Sequence, residues 1–265
     1  MLHLAETLAV QAGEVTRDPP RSAATRKPDD TVVTQTDHAI QEQAVAAIVA
    51  QFPDHAIVAE ESDHAVGCLD RTAARFVWVI DPLDGTRNYA AGMPCYATSI
   101  AVLDRGEPIV GVVYEHNLRR LYSARLGGGA YCDAQAIRAV DSAVYHDHLV
   151  GVPSSKDDFA VAILRAWAQT KGLVFRSLGS AAMHLALVAC GAMSATLSVQ
   201  TKIWDIAAGA LLVREAGGRI TTPAGDALTP FDLSADPNRN ISFLAATAQS
   251  YDYFLRATRS ALSNG

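Results

Sequence analysis

Apolar side chains recur at every third or fourth position along several segments, which is the spacing of one buried helix face. Between residues 40 and 52, apolar residues four positions apart predict a helix that ends at Pro53. Further helices are predicted over residues 4–16, 158–170 and 204–216, from Ser180 to just before Gly191, and from about residue 249 onward. Gly217 and Gly218 follow the 204–216 segment, and glycine there is a good signal for a helix C-terminus.

Continuous apolar runs and paired apolar segments predict the strands. Residues 76–80, Phe-Val-Trp-Val-Ile, form an uninterrupted run that is typical of a strand buried on both faces and ends at Asp81. Residues 99–103 and 109–114 are predicted to pair around a turn. The other predicted strands span residues 31–36, 56–59, 149–152, 173–178, 195–199, 219–222 and 241–246. Strand pairs come early and strands alternate with helices later, so we predict a mixed α/β (α+β) fold with two sheets layered with helices.

Composition limits the classes of partner. The chain has 265 residues, 49% of them hydrophobic, and a formal net charge of −6. It has no basic footprint for nucleic acid and no polybasic stretch for an anionic membrane, so we expect neither partner. The four cysteines form no C-x-x-C pair, the N-terminus does not resemble a signal peptide, and no apolar stretch reaches the ~18 residues of a membrane span. We therefore expect a cytoplasmic protein with free thiols, and the acidic excess raises the question whether carboxylates gather around a cation.

Residues 81–86, Asp-Pro-Leu-Asp-Gly-Thr, place two carboxylates three positions apart at the end of the buried run. The proline and the glycine favour a tight turn, so Asp81 and Asp84 are expected to face one site. Hard cations such as Mg²⁺ prefer oxygen ligands, and the Leu83 carbonyl can add another. A helix that begins at Gly85 or Thr86 would offer free N–H groups to a phosphate beside the cation. The same residue types also form ordinary surface turns, so the motif needs support from elsewhere in the chain.

Two further acidic sites supply that support. Glu60 and Glu61 follow the short apolar strand at 56–59, and Asp205 follows Trp204 at the start of an apolar helix. Taken alone, an acidic pair is usually solvated, and an aspartate in a first turn usually stabilises the helix dipole. The eight histidines show no metal-ligand spacing, which leaves the carboxylates as the candidate ligands.

Taken together, these segments resemble the inositol monophosphatase family, within the wider group of lithium-sensitive and fructose-bisphosphatase-like phosphatases. The matching segments are residues 30–37, 60–62, 78–88, 177–182 and 204–218, in family order and at family-like spacing. The resemblance spans residues 4–260 and implies the layered αβαβα sandwich of that family. We expect an N-terminal half, residues 1–140, with most metal ligands. A C-terminal half, residues 141–265, would carry Asp205 and the substrate-selecting segment, and the two would form one compact catalytic unit.

The resemblance implies a site for two or three Mg²⁺ ions. The implied ligands are Glu60, Asp81 and the Leu83 carbonyl for the first ion, and Asp81, Asp84 and Asp205 for the second. Glu61 would lie nearby and be less directly involved. Lys27, in a polar loop, would close over the site and support a further ion.

The same resemblance implies how water and substrate are held. Asp37 and Thr86 would form the hydrogen-bonded pair that orients and activates the attacking water, with Glu60 also in the catalytic set. The implied substrate-binding residues are Asp84, Gly85, Thr86, Gly179, Ser180, Ser198 and Asp205. A phosphate dianion repels a nucleophile, and metals neutralise it and lower the pKa of bound water, so no Ser, Cys or His nucleophile is required.

One position departs from the family pattern. Inositol-selective members usually carry a Glu seven residues before the aspartate of the Trp-Asp pair, where it contacts inositol hydroxyls, and this chain has Ser198 there. Residues 201–205 resemble the phosphoadenosine phosphate phosphatases of the group. Residues 88–89 and 179–182 resemble the inositol and archaeal-type fructose-bisphosphatase branch. We expect broad specificity that tolerates fructose-1,6-bisphosphate, with Lys202 either facing the pocket or exposed on the surface.

The leading hypothesis is Mg²⁺-dependent hydrolysis of a small phosphomonoester, such as an inositol or sugar phosphate. One alternative is a 3′(2′),5′-bisphosphate nucleotidase that acts on phosphoadenosine phosphate, and another is a histidinol-phosphatase. A binding or regulatory protein without catalysis on the same fold is the third, and the intact acidic set argues against it. The resemblance also implies a homodimer and sensitivity to lithium.

Overall fold

The computed structural model describes residues 1–17, 24–26, 32–61, 70–140, 148–154 and 157–263. Its helices are α1 (Leu2–Val15), α2 (Gln35–Gln51), α3 (Thr86–Ala91), α4 (Asp158–Ala168), α5 (Ala181–Ala189), α6 (Ile203–Glu215) and α7 (Tyr251–Ser263). Its strands are β1 (Ala24–Arg26), β2 (Val32–Thr34), β3 (Ala56–Ala59), β4 (Phe76–Asp84), β5 (Ala97–Asp104), β6 (Glu107–Glu115), β7 (Arg120–Arg125), β8 (Ala130–Cys132), β9 (Gln135–Ala136), β10 (His148–Gly151), β11 (Leu173–Arg176), β12 (Ala195–Thr201), β13 (Arg219–Thr221) and β14 (Ile241–Ala246). Lys27, the predicted loop residue, lies outside the described residues.

The first sheet joins seven strands in the order β3-β4-β5-β6-β7-β8-β9. β3 and β4 run parallel, and each later pair is antiparallel. β4 and β5 are buried on both faces, which explains their uninterrupted apolar runs and requires a helical layer on each side. Gly111 in β6 lets α6 approach closely, because a Cβ there would lie 2.5 Å from the Ala208 carbonyl oxygen.

The second sheet has five strands in the order β11-β10-β12-β14-β13. β10 runs parallel to both β11 and β12, whereas β14 is antiparallel to its two neighbours. α4 and α5 are the crossover helices that connect the parallel strands. The register between β12 and β14 shifts between Ser198 and Thr201, and this part of β12 faces a cleft.

Three apolar clusters separate the layers. α1 and α2 pack on the outer face of the seven-stranded sheet, around Ile48 and Trp78. α5 and α6 lie between the sheets, where Leu211 belongs to the central cluster. α4 and α7 cover the outer face of the five-stranded sheet, around Trp167 and Phe254. This α-β-α-β-α order confirms the layered sandwich that was predicted from the sequence.

Boundaries near the predicted site differ from the prediction. The strand expected over residues 31–36 gives way to α2 at Gln35, because Asp37 caps the helix by accepting a 2.9 Å hydrogen bond from Thr34 N. The strand expected to end at Asp81 continues as β4 to Asp84. β1 and the run β7–β9 were not predicted, because these short, partly exposed strands lack a continuous apolar pattern.

The two sheets occupy different parts of the chain. The seven-stranded sheet ends with β9 at Ala136, and the five-stranded sheet begins with β10 at His148. The division into residues 1–140 and 141–265 stays a prediction, since α6 packs against both sheets. Over the described ranges, no helix combines the length and apolar character needed to cross a bilayer. Cys95, Cys132 and Cys190 are free thiols, as expected.

Candidate active site

The 81–86 segment leaves the seven-stranded sheet as an irregular extension of β4. Asp81 still pairs with Ser99 of β5, but the register has shifted by Asp84. Pro82 lies within this shift and has no N–H for the sheet. Leu83 N donates to Asp81 Oδ1 at 2.9 Å, which holds the carboxylate over its own loop. A bulged strand therefore stands where the sequence predicted a tight turn.

Gly85 joins β4 to α3 in a left-handed conformation, with φ of 101°. A Cβ at this position would lie 2.8 Å from the Cys95 carbonyl oxygen, so both the conformation and the space require glycine. α3 begins at Thr86, the residue that the sequence also favoured as a helix start. The backbone of Gly85 and Thr86 is thus positioned at a helix N-terminus, where N–H groups are available to an anion.

Asp84 is held by the start of α5. Its Oδ2 accepts hydrogen bonds from Ser180 Oγ at 2.7 Å and from Ala182 N at 2.6 Å. Gly179 precedes them in a left-handed conformation, and a Cβ there would lie 2.9 Å from Asn88 Nδ2. The structure thus brings the predicted substrate-binding residues Asp84, Gly179 and Ser180 together, although they lie far apart in the sequence.

Asp205 lies in the first turn of α6, as the sequence predicts. Its Oδ2 accepts a hydrogen bond from Lys202 N at 2.8 Å, so the carboxylate caps the helix that carries it. The adjacent Trp204 carbonyl accepts a 3.0 Å hydrogen bond from Ser99 Oγ. Because Ser99 pairs with Asp81, this contact ties the start of α6 to the strand that carries the other carboxylate.

Glu60 and Glu61 follow β3. Glu60 N donates to the Ile80 carbonyl at 3.2 Å, which sets this residue beside Asp81 on the neighbouring parallel strand. Glu61 is anchored one residue farther along, where its N–H donates to Gln41 Oε1 of α2 at 2.9 Å. The two glutamates are therefore held by different elements, and Glu60 is the one that adjoins Asp81.

Four carboxyl groups lie close enough for their charges to interact, since Glu60, Asp84 and Asp205 all act on Asp81. Burial, and then repulsion from the other three, holds the pKa of Asp81 well above its usual range. Burial and repulsion from Asp84 and Glu60 do the same to the pKa of Asp205. Burial raises the pKa of Asp84 to about 6. A cation bound among these groups would offset the energetic cost of burying their charges, and it would reduce the repulsion between them.

The donor chemistry of this group fits a hard divalent cation. Its side-chain donors are all carboxylate oxygens, and Mg²⁺ usually takes one or two carboxylates, several waters and substrate phosphate rather than a closed protein cage. In the part of the chain that the structure describes, no group of three or more His, Cys, Asp or Glu side chains is arranged to hold a metal ion, so the carboxylates do not form a closed cage. The carboxylates are expected to be spread apart in the absence of a cation. Asp81, Asp84 and Asp205 each accept a hydrogen bond from an N–H or O–H donor through one oxygen, and their charges repel one another. The residues present therefore fit Mg²⁺.

Asp37 and Thr86 contact each other directly. Thr86 Oγ1 lies 3.0 Å from Asp37 Oδ1 and 2.9 Å from the Leu83 carbonyl oxygen, and both of these atoms accept. Thr34 donates to the other Asp37 oxygen through its N–H and its hydroxyl. Burial raises the pKa of Asp37, and the hydrogen bonds from Thr34 and Thr86 oppose that rise. Asp37 is fully buried, and Thr86 links its carboxylate to the loop that carries Asp81 and Asp84.

An open cleft of about 550 Å³ lies over the carboxylates of Asp84 and Asp205, a size typical of sites for small molecules. The predicted site residues in its lining are Asp84, Gly179, Ser180, Ser198 and Asp205. Ser198 belongs to the wall formed by β12, next to the shift in register. The structure thus connects the acidic group with the segment that was predicted to select the substrate.

Three polar residues of the cleft were not predicted or were left open. Arg87 directly follows the 81–86 segment and adds a positive charge, so its position in the sequence could have revealed it. Lys202 lines the cleft, where its Nζ donates to Asn240 Oδ1 at 2.8 Å and to the Asn238 carbonyl. Gln200 has a left-handed backbone with φ of 60°. That conformation comes from the irregular pairing of β12 and has no signal in the sequence.

Comparison with known proteins gives a consistent result along the chain. The family model described as "Inositol monophosphatase family" matches residues 1–261. The Nus factor SuhB of Pasteurella multocida is 36% identical over 233 residues, which cover 83% of this chain and 84% of that protein. The inositol-1-monophosphatase of Mesorhizobium japonicum is 33% identical over 199 residues, which cover 73% of each protein.

Solved structures share the fold over nearly the whole chain. The Thermotoga maritima IMPase has a TM-score of 0.84 and 26% identity, and the match covers 99% of this chain and 98% of that one. The SuhB protein of Bartonella henselae has a TM-score of 0.84 and 27% identity, and the match covers 97% of each chain. A small phosphorylated substrate is consistent with these relatives, and the chain therefore belongs to the inositol monophosphatase family, whose members are generally metal-dependent, and is a phosphatase.

Proposed function

We propose that this chain hydrolyses a small phosphomonoester with two or three Mg²⁺ ions as its cofactor. One observation carries the proposal: four mutually repelling carboxylates converge beside an open cleft, and the Thr86–Asp37 hydrogen bond adjoins them. A phosphate monoester dianion brings further negative charge into the same space. Only cations can hold the carboxylates and the phosphate together, which is the arrangement that metal-assisted phosphoester hydrolysis uses.

The proposed metal-holding groups are Glu60, Asp81, Asp84, Asp205 and the Leu83 carbonyl. Bound Mg²⁺ would neutralise the phosphate and lower the pKa of the attacking water. The N–H groups of Gly85 and Thr86, at the start of α3, would donate to the phosphate oxygens.

Thr86 and Asp37 would orient the attacking water. The Thr86 hydroxyl has one hydrogen, which lies between two acceptors, Asp37 Oδ1 and the Leu83 carbonyl oxygen, so the lone pairs of its oxygen are available to accept a hydrogen bond from water. Burial raises the pKa of Asp37, and a carboxylate with a raised pKa is a stronger base. The pair would therefore draw a proton away from the water while it fixes the direction of attack.

The chemistry of the cleft supports a broad substrate range. Ser198 offers an uncharged hydroxyl where inositol-selective members usually offer a carboxylate, and charge-assisted hydrogen bonds to ring hydroxyls are roughly twice as strong as neutral ones. Arg87 and Lys202 add positive charge to the lining and would attract a second phosphate. We therefore propose inositol and sugar phosphates as substrates, including fructose-1,6-bisphosphate. Phosphoadenosine phosphate and histidinol phosphate remain the alternative substrates.

A substrate panel tests the proposal. Phosphate release is measured from inositol-1-phosphate, fructose-1,6-bisphosphate, histidinol phosphate and phosphoadenosine phosphate, first with a chelator and then after Mg²⁺ is restored. We expect release only with Mg²⁺ and from more than one sugar or inositol phosphate. The Nus factor name of the SuhB relatives refers to no hydrolysis, so activity has to be measured on this chain. Release that persists in the chelator, or no release from any compound, contradicts the proposal.

Two further properties are proposed on the resemblance alone. A homodimer would give a mass near twice 28.1 kDa by light scattering, whereas a monomer would give 28.1 kDa itself. Lithium would inhibit by replacing one Mg²⁺, and raising the Mg²⁺ concentration should relieve that inhibition. Failure of either test leaves the phosphatase proposal intact, because neither property is needed for hydrolysis.

A further inference from the structure

A line of hydrogen bonds runs from the end of α1 to the loop that carries Asp81. The Thr16 hydroxyl lies 3.0 Å from His116 Nδ1. The opposite ring atom, His116 Nε2, lies 3.0 Å from Thr98 Oγ1, which in turn lies 2.7 Å from the Pro82 carbonyl oxygen. The three side chains are buried, with exposed fractions of 3% for Thr16, 7% for His116 and 0% for Thr98. Thr16, His116 and Thr98 are not among the proposed metal-holding, water-orienting or substrate-binding residues.

The donors and acceptors along this line allow one arrangement of hydrogens. The Pro82 carbonyl can only accept, so the Thr98 hydroxyl must donate to it. Thr98 then presents only lone pairs to His116, so Nε2 must carry a hydrogen. Burial lowers the pKa of His116 to about 3, so the ring is neutral and Nδ1 accepts the Thr16 hydrogen. The 3.3 Å contact from Thr16 Oγ1 to the Gly13 carbonyl is then the secondary one.

This line ends on the peptide group that also holds Asp81. Leu83 N, across the peptide bond from the Pro82 carbonyl, donates to Asp81 Oδ1 at 2.9 Å. The peptide group is planar, so its C=O and N–H turn together. The hydrogen bond from Thr98 to the carbonyl therefore sets the direction of the N–H that holds the Asp81 carboxylate.

We infer that Thr98 and His116 are positioning residues for the Asp81 carboxylate, and through it for the divalent cation of the proposed function, on which this inference rests. The rings of Tyr96 and Tyr114 pack against the imidazole, with centroids 5.4 Å and 5.3 Å away, and hold it in place. The described lining of the cleft includes neither Thr98 nor His116. Any effect of these residues on catalysis is therefore expected to pass through the Pro82–Leu83 peptide group, which holds the Asp81 carboxylate.

The variants separate positioning from simple burial. Thr98→Val keeps the volume and removes the hydroxyl, whereas Thr98→Ser keeps the hydroxyl. Thr196→Val is the matched control, because Thr196 is also fully buried in a strand but its hydroxyl has no hydrogen-bond partner among the described residues. Mg²⁺ affinity is measured by calorimetry and by the Mg²⁺-dependent rise in Tm, neither of which requires turnover.

We expect Thr98→Val to weaken Mg²⁺ binding about 10-fold and to lower kcat, with KM changed less than about 2-fold. Thr98→Ser and Thr196→Val should stay within about 2-fold of the wild-type affinity. If Thr98→Val does not fold, His116→Leu replaces it, with an expected loss of about 3-fold because Thr98 then lacks its donor. Wild-type affinity in the folded test variant overturns the inference. Absence of Mg²⁺ binding by the wild type overturns the proposed function and this inference with it.

Discussion

Asp81 is the carboxylate on which the other acidic groups of the site converge. Burial and the repulsion from its neighbours raise its pKa, and the Leu83 N–H holds one of its oxygens. An amide keeps this shape but removes the charge that a cation needs, so Asp81→Asn should lower Mg²⁺-dependent phosphate release at least ~100-fold. Glu61→Gln should lower phosphate release far less, because Glu61 is anchored to α2 through its N–H. Full activity of Asp81→Asn in metal-free buffer would contradict the metal site.

Thr86 offers a test of how the water is oriented. Its hydroxyl reaches Asp37, which is sealed from solvent, so removing that hydroxyl disconnects the base. We expect Thr86→Ala to lower kcat by ~10²–10⁴-fold with little change in KM, since the lost interaction belongs mainly to the transition state. Thr86→Ser keeps the hydroxyl and serves as the control. A wild-type kcat for Thr86→Ala would mean that another group orients the attacking water.

Ser198 tests the origin of substrate choice. A glutamate at this position could accept hydrogen bonds from two ring hydroxyls and would repel a second phosphate. Ser198→Glu should therefore shift kcat/KM toward inositol-1-phosphate, relative to fructose-1,6-bisphosphate, by about 10-fold, the effect of one ~1.4 kcal/mol interaction. Ser154→Glu places the same charge elsewhere in the cleft and should shift the ratio less. An unchanged ratio for Ser198→Glu would show that Ser198 does not contact the substrate.

At the scale of elements, the junction of β4 and α3 requires a glycine for two reasons. Gly85 has a left-handed backbone, and a Cβ would press against the Cys95 carbonyl. Gly92, at the other end of α3, is also left-handed but has nothing within 4 Å of a Cβ. By urea unfolding, Gly92→Ala should cost about 1 kcal/mol of stability and Gly85→Ala about 2–3, with loss of activity only at Gly85. Equal costs would show that the contact with Cys95 is unimportant.

Local patterns could predict some elements of the site and not others. The first-turn position of Asp205 and the N-cap role of Ser180, whose Oγ accepts from Met183 N at 3.2 Å, were predictable because capping depends on neighbouring residues. The bulge after Asp81 was not predictable. Proline and glycine also favour turns, and only the pairing of β4 with β5 decides between the two outcomes. The αL backbone of Gln200 depends on strand pairing in the same way.

At the scale of the whole molecule, contacts between distant segments assemble the site. Ser180 meets Asp84 across 96 positions of sequence, and Thr16 meets His116 across 100. No periodicity within a segment encodes such contacts. The layered fold and the acidic set could be expected from the family resemblance. The hydrogen-bonded line through Thr98 and His116 could not, because its residues look like ordinary core positions until the end of α1 packs against β5 and β6.

The buried charges also connect the site to overall stability. The pKa of Asp84 is raised from 3.8 to about 6, and those of Asp81 and Asp205 lie well above their usual range. A carboxyl group of this kind contributes stability that is fully present below its unfolded pKa and is lost as the pH rises through its folded pKa. His116 and His184 have pKa values lowered to about 3 and about 4, so their contribution is lost only as the pH falls below 6.5.

As the pH rises through about 6, the chelated protein should lose stability through Asp84, whose folded pKa is about 6, whereas the two histidines act in the same way with and without Mg²⁺. Mg²⁺ binds the deprotonated groups and should cancel this loss. We expect the rise in Tm at saturating Mg²⁺, relative to chelator, to be larger at about pH 8 than at about pH 6. Asp84→Asn removes one titrating group and should reduce the difference between the two pH values. An equal rise at both would mean that the cation does not bind among these raised-pKa carboxylates, and the proposed metal site would have to lie elsewhere in the molecule.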